Sequence, residues 1–177
     1  MYCPLVAFLL LLLFSPSTAS TAPNLLREAN TLVGGPGNDR LDANDDLNLL
    51  YGGAGEDQLV AAGYFTFIFT DDPMNPTIQE ADTVELLTNY LKTGAALTGE
   101  PSIVIGDFQP GLDKLKVIDL VCDEDHEFTF EQWIDDHPVF GTTLLIAVRE
   151  AQSLEMALAF PGLNAPLSAD DFIDDCN

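Results

Sequence analysis

Large apolar residues recur every nine positions, from Leu32 through Leu41, Leu50 and Leu59 to Ile68, with polar and small residues between them. A period of nine is neither helical nor strictly alternating. It marks a nine-residue repeat in which each copy supplies one apolar plug for a narrow core. After Gly63 the polar positions stop, and Tyr64-Phe65-Thr66-Phe67-Ile68-Phe69 reads as a strand that closes the stack. Ser102 to Ile118 reads as strand, Pro110-Gly111 turn, strand, and Phe140 to Val148 as one more strand. Val84, Leu87 and Leu91 stand at helical spacing, and Thr129-Phe130-Glu131-Gln132 has capping-box form. One short helix is expected at each place, the second running through Trp133, which is read as packing rather than as a site.

The polar positions between the plugs carry the chemistry. Gly34-Gly35-Pro36-Gly37-Asn38-Asp39-Arg40-Leu41-Asp42 is answered, at twice the plug period, by Gly52-Gly53-Ala54-Gly55-Glu56-Asp57-Gln58-Leu59-Val60. Glycines let the backbone turn tightly with its carbonyls inward, and the aspartate adds anionic oxygen. A shell made only of oxygen suits a hard divalent cation. The copy between them, Ala43 to Tyr51, has lost its glycines and carries Asn48 where its neighbours carry Asp39 and Asp57. The copy before them, Leu25 to Val33, keeps only Asn30 and Leu32.

This array resembles the repeats-in-toxin, or hemolysin-type, calcium-binding family. Asp107-Phe108-Gln109-Pro110-Gly111-Leu112-Asp113-Lys114-Leu115 and the ending Leu167-Ser168-Ala169-Asp170-Asp171-Phe172-Ile173 are similar to phrases that follow the repeats in serralysin-type and related secreted proteins. The resemblance covers most of residues 30 to 173, with an apparent insertion near Asp71 to Gly99. It implies an all-β fold with one or two short helices: a short parallel β-roll of nonapeptide repeats over residues 20–69, capped by a β-rich region over 70–177. Two nonapeptides complete one coil, so copies eighteen apart stack on the same side. One Ca²⁺ is then expected between the two clear turns, held by the carboxylates of Asp39 and Asp57 and by carbonyls around Gly35, Gly37, Gly53 and Gly55. On the opposite side Asp45, Asp46 and Asn48 are candidates for a weak ion, against the plainer reading of a solvated turn.

Charge bears this out only in part, since 29 acidic residues against 6 basic ones give a net charge of −23 that also serves solubility. It does exclude ordinary nucleic-acid binding, which needs clustered Lys or Arg, and it disfavours anionic membranes. The apolar run from Leu5 to Phe14, followed by Ser15-Pro16-Ser17-Thr18-Ala19, reads as a signal peptide over residues 1–19, too short to span a bilayer. Cys3 would leave with it. Cys122 and Cys176 would remain, with no C-x-x-C motif and no spacing that fixes a pairing. A cleavable leader and these cysteines depart from the family, whose members generally carry an uncleaved C-terminal export signal and little cysteine.

Other chemistry finds little support. His126-Glu127 begins an H-E-x-x-H motif, but Phe130 stands where the second histidine must be, and His137 has no matching ligand spacing. Asp123-Glu124-Asp125 reads as a polar loop rather than a glycosidase dyad, and no G-x-S-x-G elbow or phosphate loop occurs. The residues favour a secreted, non-enzymatic module that Ca²⁺ orders, with calcium ions and secretion machinery as partners. The alternatives are an adhesion or matrix module engaging an extracellular surface or polymer, or the detached tail of a larger secreted enzyme or toxin.

Overall fold

The computed structural model describes residues 29–43, 47–61, 65–71, 79–87, 101–118, 128–150 and 153–173. The expected signal segment, all three cysteines, Asp45, Asp46, Leu91, His126 and the run Asp123 to Asp125 lie outside them.

Two parallel sheets face each other, and the chain alternates between them. One sheet takes β1 (Ala29–Pro36), β3 (Leu47–Ala54), β5 (Phe65–Asp71) and β7 (Ile103–Ile105); the other takes β2 (Arg40–Asp42), β4 (Gln58–Ala61), β6 (Thr83–Leu87) and β8 (Lys114–Ile118). The period of nine explains this geometry. Each plug enters the interior from its own sheet and lies in register with the plug two copies away: Leu32 with Leu50 and Ile68, Leu41 with Leu59. Leu50, Leu59 and Ile68 are fully buried, and each such side chain contributes about 2 kcal/mol relative to an exposed one.

The stack does not close at Phe69, because β7 pairs along the free side of β5. Nor is the segment around Val84 helical: Thr83–Leu87 is β6, paired with β4 on one side and β8 on the other. Its inward residues are Val84 and Leu86, a period of two that the wider spacing of Val84, Leu87 and Leu91 obscured. Val84 lies opposite Leu59 and Leu115 opposite Val84, so the plug column continues past the legible repeats.

The remaining chain extends the first sheet. β11 (Ser153–Pro161) runs parallel to β7, and β10 (Gly141–Glu150) and β9 (Phe128–His137) follow as an antiparallel pair. The helix expected from Thr129 through Trp133 is therefore strand β9. A capping box is worth about 1 kcal/mol, which a ten-residue ladder with β10 outweighs. Trp133 stands 44% exposed on this edge strand, so it is not core. Leu144, Ile146, Val148, Leu158 and Phe160 join the interior of the roll. A 3-10 turn, Ala169–Asp171, leads into β12 (Phe172–Ile173), which pairs in parallel with β8. The described residues are thus nearly all β, with parallel sheets that form a β-roll.

Candidate calcium site

Along one edge of the roll the turns Gly34–Asp39 and Gly52–Asp57 stack directly, Gly35 beside Gly53. Gly35 and Gly37 sit at φ +105° and +112°, Gly53 and Gly55 at +114° and +130°, conformations that L side chains rarely adopt. The second pair has an additional reason to be glycine, since a Cβ on Gly53 or Gly55 would run into the carbonyl of Gly35 or Gly37. Turn carbonyls therefore point from one coil toward the next.

The aspartates form a ladder. The Asp39 N–H donates to Asp57 Oδ1 (2.8 Å), the Asp57 N–H to Asp82 Oδ1 (2.7 Å) and the Asp82 N–H to Asp113 Oδ1 (3.2 Å). Successive rungs lie 18, 25 and 31 residues apart in sequence yet occupy equivalent places in the stack. Each is followed, two residues on, by a plug of the second sheet: Leu41, Leu59, Val84 and Leu115.

In Asp57 and Asp82 one oxygen is held by the neighbouring coil and the other is left over. Asp39 Oδ2, Asp57 Oδ2 and Asp82 Oδ2, with Asp71 Oδ1, are buried and have no hydrogen-bond partner. Asp39 Oδ2 lies 2.7 Å and the Gly52 carbonyl 2.5 Å from the point where Gly34 would carry a Cβ. Asp57 Oδ2 lies 2.6 Å from the corresponding point of Gly52, which the Thr70 carbonyl also crowds. Acceptors thus face acceptors across small gaps. That arrangement is unfavourable without a cation and suits a hard one with oxygen ligands. Among the described residues no three acidic, histidine or cysteine side chains already converge as a metal cage, so backbone carbonyls must supply much of any shell.

Electrostatics tell the same story. Burial pushes the Asp57 carboxyl up, and the charges of Asp39, Glu80 and Asp71 add to the effect. Burial also raises Asp71, lifts Asp82 to about 8 with Asp113, Asp57 and Asp71 contributing, and lifts Asp107 and Asp113 to about 6. Asp171 shows the contrast. Burial pushes it up too, but hydrogen bonds from Ser168 and Gly111 outweigh that and leave it below the usual range.

The opposite edge of the roll is chemically different. Asn30, Asn48 and Thr66 are register partners there, and Asn30 Nδ2 donates to Asn48 Oδ1 at 3.5 Å. An amide donates as well as accepts, so this column closes without a counter-charge. His137, for its part, stacks on Phe140 with ring centroids 4.7 Å apart.

The predicted residues Gly35, Gly37, Asp39, Gly53, Gly55 and Asp57 therefore come together in two adjoining turns. Asp82 and Asp113 carry the ladder beyond the predicted residues. The signal for them in the sequence is the tripeptide of aspartate, any residue and large apolar residue: Asp39-Arg40-Leu41, Asp57-Gln58-Leu59, Asp82-Thr83-Val84 and Asp113-Lys114-Leu115.

A parallel roll whose stacked turns present unpaired carboxylate oxygens defines a calcium-binding solenoid. Residues 27–59 match the RTX calcium-binding nonapeptide repeat (4 copies), and this part of the chain is such a repeat array, a module that binds Ca²⁺. Among solved structures, the chain is similar to the solution structure of the AlgE6R3 subunit from the Azotobacter vinelandii mannuronan C5-epimerase. The two share 21% identity over 85% of this chain and 86% of that one, with a TM-score of 0.48. No curated protein matches the sequence. Among the described residues, no helix is long and apolar enough to cross a membrane.

Proposed function

We propose that the chain is a secreted calcium-binding module without catalytic activity of its own, in which Ca²⁺ between stacked turns orders the polypeptide after export. The observation that carries this reading is the unpartnered Asp39 Oδ2 beside the Gly52 carbonyl of the adjoining turn, an arrangement that Asp57 Oδ2 repeats one coil on beside the Thr70 carbonyl. In this reading the carboxylates of Asp39 and Asp57 and the carbonyls of Gly35, Gly37, Gly53 and Gly55 hold the ion. When bound, Ca²⁺ supplies the positive charge that the stacked carboxylates lack. Asp57 Oδ1, already fixed by the Asp39 N–H, orients its own second oxygen, and the positive-φ glycines aim their carbonyls. Without a counter-charge, repulsion between Asp39 and Asp57 opposes stacking, so binding and folding are coupled.

Extracellular modules bind Ca²⁺ with Kd values of about 10⁻⁴ to 10⁻³ M, which would leave the site empty in a cytosol and filled outside. At a hundredfold excess over Kd, mass action adds about 2.7 kcal/mol of stability. Calorimetric titration of the chain without residues 1–19 tests the proposal: heat and a gain of β structure are expected by millimolar Ca²⁺. A flat titration with an unchanged circular dichroism spectrum refutes it.

A further inference from the structure

The first sheet ends at β9, which pairs with β10 along its whole length and has no strand on its far side among the described residues. The other edge strands are protected against further pairing. β2 and β12 are only three and two residues long, and β1 finishes in Gly34-Gly35-Pro36. β9 has ten residues, an unbroken register with β10, and no glycine, proline or lysine. We propose that this edge is a docking site for an extended, basic segment of a partner protein, which joins the seven-stranded sheet as a further strand.

The two faces of β9 suit different side chains. Its register with β10 puts Glu131, Trp133 and Asp135 on the outer face, all exposed, Trp133 by 44%. Phe130, Gln132 and Ile134 share the other face, opposite Val148, Ile146 and Leu144 of the roll interior. Phe130 packs on Phe172 with ring centroids 5.2 Å apart, and Gln132 Oε1 accepts the Leu167 N–H at 2.8 Å. Phe130 and Ile134 nonetheless stay 37% and 40% exposed, so the interior is unfinished at this edge. An incoming strand meets acids flanking an indole on one side and open apolar surface on the other. Alternating basic and apolar residues match both: Arg or Lys beside Glu131 and Asp135 and over the Trp133 ring, Val or Ile beside Phe130 and Ile134. Backbone hydrogen bonds supply the pairing itself. Charge selects the partner. β9 carries Glu131, Asp135 and Asp136 and neither Lys nor Arg, while the one basic residue of β10, Arg149, is opposite Thr129, at the other end from Asp135 and Asp136. A second copy would bring its own net charge of −23 against the same acids, so self-pairing is the poorer fit.

Trp133 is the only tryptophan of the chain, so its fluorescence reports on this edge alone. The probe is a synthetic peptide of alternating arginine and valine, titrated into the full chain at physiological salt with CaCl₂ present. A saturable, one-to-one shift of the Trp133 emission is expected. Methylating the peptide's backbone amides keeps its charges and side chains but removes its N–H donors, and affinity should fall about tenfold or more. Asp135→Asn with Asp136→Asn, both at exposed positions, should weaken the unmodified peptide about fivefold and leave the circular dichroism spectrum unchanged. Equal affinity of the methylated and unmethylated peptides reduces the contact to charge attraction and overturns the proposal. Emission that the peptide leaves unchanged overturns it too. Emission that moves with protein concentration alone, together with a dimer in sedimentation, overturns it in favour of self-pairing.

Discussion

Removing calcium while varying pH should give an unusual stability profile. Between pH 5 and 7 an unfolded aspartate has lost its proton, whereas Asp82, raised to about 8, keeps its proton in the fold, and Asp107 and Asp113, raised to about 6, keep theirs in part. The folded state then binds more protons than the unfolded one, so stability falls as pH rises through this window. One pH unit corresponds to about 1.4 kcal/mol per proton, giving about 3 kcal/mol for Asp82 and about 1 kcal/mol for each of the other two. Water and counter-ions at the mouths of the turns screen these charges, so a net loss of roughly 2–3 kcal/mol is expected from pH 5 to pH 7. Urea unfolding in excess chelator at pH 5, 6 and 7 measures it. Asp82→Asn removes the largest contributor and should flatten the slope by about half. With millimolar Ca²⁺ the trend should reverse, because the ion competes with those protons. Chelated stability that is level or rises with pH, or a slope that Asp82→Asn leaves unchanged, would refute the reasoning.

Leu50→Ala, at a fully buried plug, should cost about 2–5 kcal/mol, read as a lower urea midpoint with Ca²⁺ present. Gly52→Ala places a methyl against the Thr70 carbonyl and 2.6 Å from Asp57 Oδ2. It should cost about 1–3 kcal/mol and weaken Ca²⁺ binding in a titration. Gly35→Ala meets no atom within 4 Å, so only the strain of its positive φ, about 1 kcal/mol, should appear. Asn48→Asp puts a charge at a position 4% exposed in the Asn30–Asn48–Thr66 column. A loss of about 2–3 kcal/mol is expected, visible as a lower Tm that added Ca²⁺ does not restore.

The roll could be read from the sequence because two residue types act locally and strictly. A positive-φ glycine and a buried plug each tolerate few replacements, so Gly35, Gly53, Leu50 and Leu59 record the turn and the interior directly. The later coils are harder to see. Thr70 and Asp71 replace the glycine pair, and the ladder spacing grows from 18 to 25 and then 31 residues, which erases the period while leaving the pairing intact. Val84 and Leu86 looked helical because Leu87 and Leu91 are apolar as well, and only the partners on both sides of β6 decide the matter. Likewise nothing local to Thr129–Gln132 announces β10, whose pairing makes that segment a strand. The surroundings of Asp71 were invisible for a similar reason: Gln109, 38 residues away, holds one of its oxygens, and the other is buried without a partner.

The aspartate ladder has a direction. Three rungs are fastened from the C-terminal side: Asp57 grips the N–H of Asp39, Asp82 that of Asp57 and Asp113 that of Asp82, while Asp171 holds that of Gly111. An early coil thus owes its shape to residues the ribosome adds later, and a nascent chain has nothing with which to fasten its first turn. The Asp39 turn can close once Asp57 and Gln58 have been made, so the emerging end stays unfastened for the length of one coil.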